Sequence, residues 1–75
     1  MDIRKLDDCE KDFDNGLQFY RNKNYRNSGK IFKALARKGY SKAQYYMGLT
    51  YERGHGVFKS HKTAFKWYLM SAENG

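Results

Sequence analysis

"GLTYERGHGVFKSHKTAFKWYLMSAENG", Gly48 to Gly75, contains two runs of apolar residues at helical spacing, separated by the glycine step Gly54-His55-Gly56. The apolar period on both sides is that of a helix, and no proline interrupts the chain. Ser60 is an N-cap candidate for the second run, and Gly75 stands where a helix end favours a left-handed residue. The stretch therefore reads as a helix, a turn and a second helix.

The same reading extends upstream. "YSKAQY" (Tyr40–Tyr45) offers Ser41 as a cap, Gln44 three residues on, and Tyr40 and Tyr45 as a staple. Asp7 followed by Glu10 is a looser version of that device, Asn24 is a single cap candidate, and Gly39 follows "ALARK" as a stop. Helices are predicted near residues 8–21, 25–38, 42–53 and 61–74, in two antiparallel hairpins. The hairpins look like copies. "NYRNSGKIFKALARKG" (Asn24–Gly39) lies on "SHKTAFKWYLMSAENG" (Ser60–Gly75) at an offset of 36, which places Phe32 on Tyr68 and Ala36 on Ala72. "GLQF" (Gly16–Phe19) lies on "GLTY" (Gly48–Tyr51) at an offset of 32, so the loop of the second copy is four residues longer. Paired helices at such a period predict an all-α stacked repeat, a short α-solenoid.

Seventy-five residues allow one small domain, read as repeat 1 over about 9–42, repeat 2 over about 43–75 and a charged extension at 1–7. Tyr, Phe and Trp make up 17% of the chain, which gives a small core much contact area per residue. Cys9 is the only cysteine, so neither an internal disulfide nor a cysteine-based zinc site can form. No run approaches the ~20 apolar residues of a membrane span, and the charged start is not a secretory signal. A cytoplasmic protein without membrane contact is expected. The net charge of +7 is uneven: residues 1–14 hold six of the eight acidic groups, and none occurs from Asn15 to Tyr51.

The second copy resembles a known family. Ala43, Gly48, Tyr51, Gly54, Gly56, Val57, Ala64, Trp67, Tyr68, Ala72 and Gly75 fall in order on the pattern of the Sel-one-like repeat (SLR), a relative of the tetratricopeptide repeat (TPR). Met47, Ser60 and Ser71 depart from it, and the first copy keeps only Gly16, Phe19, Phe32, Ala36 and Gly39. The resemblance implies a helical solenoid whose first helices line a partner-binding groove, with Tyr51, Trp67 and Tyr68 filling the hairpin and Ala64 and Ala72 letting helices approach. It also makes Gly54-His55-Gly56 a turn.

Chemistry has little to build on. His55 and His61 lack the carboxylate or cysteine partners of a catalytic or metal site, and Glu52 stands alone beside the first. The glycine step lacks the Gly-Lys-Ser/Thr ending of a phosphate loop, and Cys9 sits in an acidic setting that disfavours a thiolate. No enzyme, metal or cofactor is expected.

Two surfaces and one end remain. Phe13, Leu17, Tyr20 and Arg21 on the first helix, and Tyr45, Tyr46, Leu49 and Arg53 on the third, are candidates for the groove; tyrosine and arginine are favoured at contact surfaces. Some of these residues must instead pack hairpin on hairpin. Arg26, Lys30, Lys33 and Arg37 share an arc of roughly 60° on the second helix, either a solvated face or a site for an acidic protein or a phosphate backbone. Trp67, Leu69 and Met70 leave the closing face apolar, to be covered by further repeats, by a homo-oligomer or by a target. The expected function is protein–protein interaction, as adaptor, scaffold or compact inhibitor. The alternative is nucleic-acid binding by the basic face, with Tyr20, Tyr25 and Tyr40 as stacking groups.

Overall fold

The punctuation produces four helices: α1 (Ile3–Arg21), α2 (Tyr25–Arg37), α3 (Ser41–Arg53) and α4 (His61–Asn74). The structure is a computed structural model that describes residues 3–75, with side chains from Asp8 onward. Each helix packs on the next, α1 on α2, α2 on α3 and α3 on α4, in a slab of 35 × 28 × 14 Å. Among the described residues the fold is all-α, two hairpins stacked on each other.

The caps explain most of the boundaries. Asn24 accepts a hydrogen bond from the Asn27 amide and Ser60 accepts one from the Thr63 amide, so both second helices start on the same device. At the end of α2, Gly39 takes φ 91°, and the amides of Gly39 and Tyr40 bond back to the carbonyls of Ala36 and Leu35. That pair of bonds is a Schellman motif, and a left-handed residue is what closes it.

Two expected starts are corrected. α1 begins at Ile3 rather than at residue 8, and Asp7 lies within it; residues 3–7 contain no glycine or proline to stop the helix. Met1 and Asp2, part of the expected extension, lie outside the described residues. At α3 the N-cap is Tyr40, with no side-chain cap, and Ser41 is already helical. The third helix is held from outside instead. Gln44 is buried and donates to the Ala36 carbonyl across the hairpin junction, while Asn74 of α4 donates to its amide oxygen. Ser71 Oγ donates to the Ser41 carbonyl. Tyr40 and Tyr45 do not serve as the expected staple: the first packs against Phe13, the second against Tyr46 and Tyr68.

The core forms where the hairpins meet, from Phe13, Phe32, Leu35, Ala36, Ala43 and Met47, with Tyr20, Tyr46, Tyr51 and Trp67 half-buried against it. The two copies share one internal contact. Gly16 lies beneath the ring of Phe32 and Gly48 beneath that of Tyr68, pairs that correspond at the two sequence offsets. Each glycine forgoes about 1 kcal/mol of helix propensity so that an aromatic ring can lie on backbone. The aligned Ala36 and Ala72 do not behave alike. Ala36 is buried beneath α3 but Ala72 is exposed, because no described helix follows α4 to cover it.

The α1–α2 turn closes the same way as the end of α2, with the amides of Lys23 and Asn24 bonded to the carbonyls of Tyr20 and Phe19. Here the left-handed position, φ 63°, is held by Lys23, the one such residue among those described that is not glycine. A side chain in that region costs about 1–2 kcal/mol relative to glycine. Lys23→Gly is expected to raise stability by about 1 kcal/mol, read as a higher urea midpoint.

Candidate functional site

Gly54-His55-Gly56 is a turn, and it also joins the hairpins. Gly54 ends α3 at φ 68° and Gly56 follows at φ 78°. A Cβ on Gly56 would stand 3.1 Å from that of Tyr25, so the loop backbone lies directly on the start of α2. His55 stacks flat on Tyr25, with ring centroids 4.1 Å apart and planes 10° apart, and its Nδ1 lies 2.9 Å from the Tyr20 hydroxyl. Burial, with Arg53 nearby, lowers the His55 pKa below its ordinary 6.5. The imidazole is therefore neutral at pH 7. Burial raises the Tyr20 pKa, outweighing the guanidinium of Arg53 beside it, so the phenol keeps its proton and shares a hydrogen bond with Nδ1.

His55 is thus a latch between repeats. Its lowered pKa means that the unfolded chain binds the proton more readily. Stability is then full above about pH 6.5 and declines as pH falls through 6.5 toward the folded value. His55→Gln should remove that decline, a difference that thermal melts of both proteins at pH 8 and pH 5 would show.

The other candidate chemical groups are accounted for singly. Glu52 accepts a hydrogen bond from the Tyr68 hydroxyl, and burial with that bond raises the Tyr68 pKa strongly. His61 is exposed on the first turn of α4, and Cys9 is a half-buried free thiol beside the core. Among the described residues, no three His, Cys, Asp or Glu side chains are grouped so as to hold a metal ion.

The eight groove candidates fall into three kinds. Phe13 is 6% exposed and packs on Phe32, Tyr40 and Tyr46, so it can offer a partner little more than an edge. Its ring is claimed by three neighbours, the packing role that some of the groove candidates were expected to take. Tyr20 and Tyr46 are half-buried in the same aromatic network, edge to face with each other. Tyr45 is 48% exposed, and Arg21 and Arg53 are exposed, with Leu17 and Leu49 half-buried. Phe13, Tyr45 and Tyr46 line an open depression of about 470 Å³, together with Ser41, Lys42, Ser71 and Gly75. Those last four were not foreseen, since only the approach of the α4 end to the α3 start makes them neighbours.

All four residues of the basic arc, Arg26, Lys30, Lys33 and Arg37, are exposed. The first three border a cleft of about 420 Å³, which also touches Met47, Tyr51 and Val57. On the second hairpin Phe58, Phe65, Leu69 and Met70 are exposed, Phe58 almost completely, whereas Trp67 is half-buried against the core. The apolar closing face therefore consists of Phe65, Leu69 and Met70 rather than Trp67.

The match between the copies, glycine under ring and cap on cap, is the geometry of a helical repeat. Residues 41–75 match the family model of the Sel1 repeat. The match is consistent with a Sel1-like repeat family. The Sel1 repeat has a helical, TPR-like fold and generally serves protein–protein interaction, and the α3–α4 hairpin with its glycine turn is the part of the chain that is similar to it. The α1–α2 hairpin, outside the matched residues, repeats the same glycine-under-ring contact. No helix of the described residues is long and apolar enough to cross a membrane. No curated protein and no solved structure gives a significant match to the chain.

Proposed function

We propose that the chain is a non-catalytic protein–protein interaction module, an adaptor, scaffold or small inhibitor, which holds its partner on the α1/α3 face around Tyr45. The observation that carries this reading is a large aromatic side chain left 48% exposed beside a 470 Å³ depression, on a frame of rings that cannot rearrange cheaply. Leu49 and Arg53 on the same helix and Arg21 on α1 supply an apolar flank and two cations. A preorganised aromatic anchor loses little conformational entropy on binding. The nucleic-acid alternative has less to use. Tyr20 and Tyr25 are engaged with His55, and the Tyr40 hydroxyl is buried with no hydrogen-bond partner among the described residues.

Affinity capture from the source cell's lysate, with and without nuclease and at low and moderate salt, tests the reading. A discrete protein should stay bound after nuclease at moderate salt. Capture that disappears with nuclease would transfer the function to the basic arc and nucleic acid. A homo-oligomer closing over Phe65, Leu69 and Met70 belongs to the same proposal. It predicts a concentration-dependent mass in sedimentation that Leu69→Lys abolishes.

A further inference from the structure

We propose that the cleft between α2 and the C-terminal half of α3 is a second binding site, which takes an acidic peptide segment carrying one large apolar side chain. The site shares no residue with the α1/α3 face around Tyr45 and goes beyond the interaction proposed there. Its volume of about 420 Å³ falls within the ~300–1,000 Å³ of ligand pockets. Its lining divides by chemistry. Met47, 97% buried, and half-buried Tyr51 and Val57 give an apolar floor. Exposed Arg26, Lys30 and Lys33 give one rim, made only of cations.

Three features select the occupant. The first is charge. No acidic residue occurs in the sequence from Asn15 to Tyr51, and Glu52, next along, is bound to the Tyr68 hydroxyl, so these cations face a partner's carboxylates rather than the helix's own. The second is that two polar side chains of the lining are committed: Thr50 donates to the Tyr46 carbonyl and His55 bonds to Tyr20. Recognition then rests chiefly on charge at the rim and apolar contact at the floor, with the phenols of Tyr25 and Tyr51 also in the lining. The third is space. Gly29 sits on the cleft wall of α2, where a Cβ would meet nothing within 4 Å. A glycine in mid-helix with nothing packed on it costs helix stability, and it keeps the cleft open for a side chain from outside. A phosphate backbone would use the cations and leave the apolar floor idle, which favours a peptide over nucleic acid.

The test uses fluorescence anisotropy of the whole chain with three labelled probes. One is a ten-residue Asp/Glu peptide with a central phenylalanine, another is the same peptide with alanine at the centre, and the third is a twelve-residue oligothymidylate. The phenylalanine peptide should bind at least tenfold tighter than the alanine peptide. Gly29→Leu fills the cleft without removing any contact and should weaken that binding at least tenfold, as should Lys30→Glu with Lys33→Glu. Gly29→Leu exchanges glycine for a better helix former, so its thermal melt should be unchanged or higher, which separates blocking from misfolding. Tyr45→Ala with Leu49→Ala should bind the peptide as the parent does, so a failure here leaves the α1/α3 reading standing. The proposal is overturned if the phenylalanine peptide does not bind at about millimolar concentration, or if Gly29→Leu leaves its affinity unchanged. It is also overturned if the alanine peptide binds as well, or if the oligothymidylate binds more tightly than the peptide.

Discussion

Phe32→Ala is expected to lose about 3–5 kcal/mol of unfolding free energy, the cost of emptying a large aromatic site in a core that cannot close over the gap. A chain of this length has about 4–11 kcal/mol in total, so the variant should be partly or wholly unfolded at 25 °C. Phe32 is the node of the molecule. It is fully buried, its ring centroid lies 5.6 Å from that of Phe13, 6.0 Å from Tyr20 and 5.2 Å from Tyr46, and it covers Gly16. It therefore touches α1, α2 and α3 together. Urea denaturation followed by circular dichroism would show the loss, and a midpoint shifted by less than about 1 kcal/mol would mean that the rings repack without it.

Gly48→Ala should also destabilise, by about 1 kcal/mol net, although alanine is the better helix former. The added Cβ would lie 2.5, 2.6 and 2.9 Å from three atoms of the Tyr68 ring. That ring is held by the hydroxyl bond to Glu52 and by contact with Tyr45. Overpacking of this kind costs about 1–3 kcal/mol and also forces apart the closely packed α3 and α4, while the helix gains about 1 kcal/mol. Gly29→Ala gives the opposite sign, because its Cβ enters open space and only the propensity gain remains. Thermal melts of the two variants should therefore move in opposite directions. Equal shifts would mean that Gly48 is not a seat for Tyr68.

The residues that made the fold legible are the ones whose roles are local. Asn24 and Ser60 cap, Gly39 and Gly54 turn, and each does so through its own backbone or its nearest neighbours. Gly16 and Gly48 could be aligned by offset alone, and the rings above them followed from the same alignment. The rest concerns residues whose partners come from another helix. Ser41 and Gln44 match a capping box in sequence, yet Ser41 is already helical, and the Gln44 side-chain amide is taken by the carbonyl of Ala36 and the side chain of Asn74. Phe13 could line the groove or pack between hairpins by its spacing alone, and the contacts of Tyr40 and Tyr46 with its ring were not visible in the sequence. His55 looked inert because its partners, Tyr20 and Tyr25, lie at least 30 positions away.

The basic arc was legible for the same reason as the caps. A helix places Arg26, Lys30 and Lys33 on one side whatever surrounds it, and all three are exposed as that spacing requires. The apolar floor beneath them was not, because Met47 and Val57 belong to the second hairpin and reach the cleft only when the repeats stack.

The central claim is that the chain acts by holding a protein on the α1/α3 face. The most direct test is the affinity of the captured partner for three purified forms: the parent, Tyr45→Ala with Leu49→Ala, and Lys30→Glu with Lys33→Glu. Loss of at least tenfold with the Tyr45 and Leu49 pair, in a protein whose melt shows it folded, is the predicted result. An affinity that this pair leaves unchanged would contradict the claim, and one that only the charge reversal weakens would move the interaction to α2.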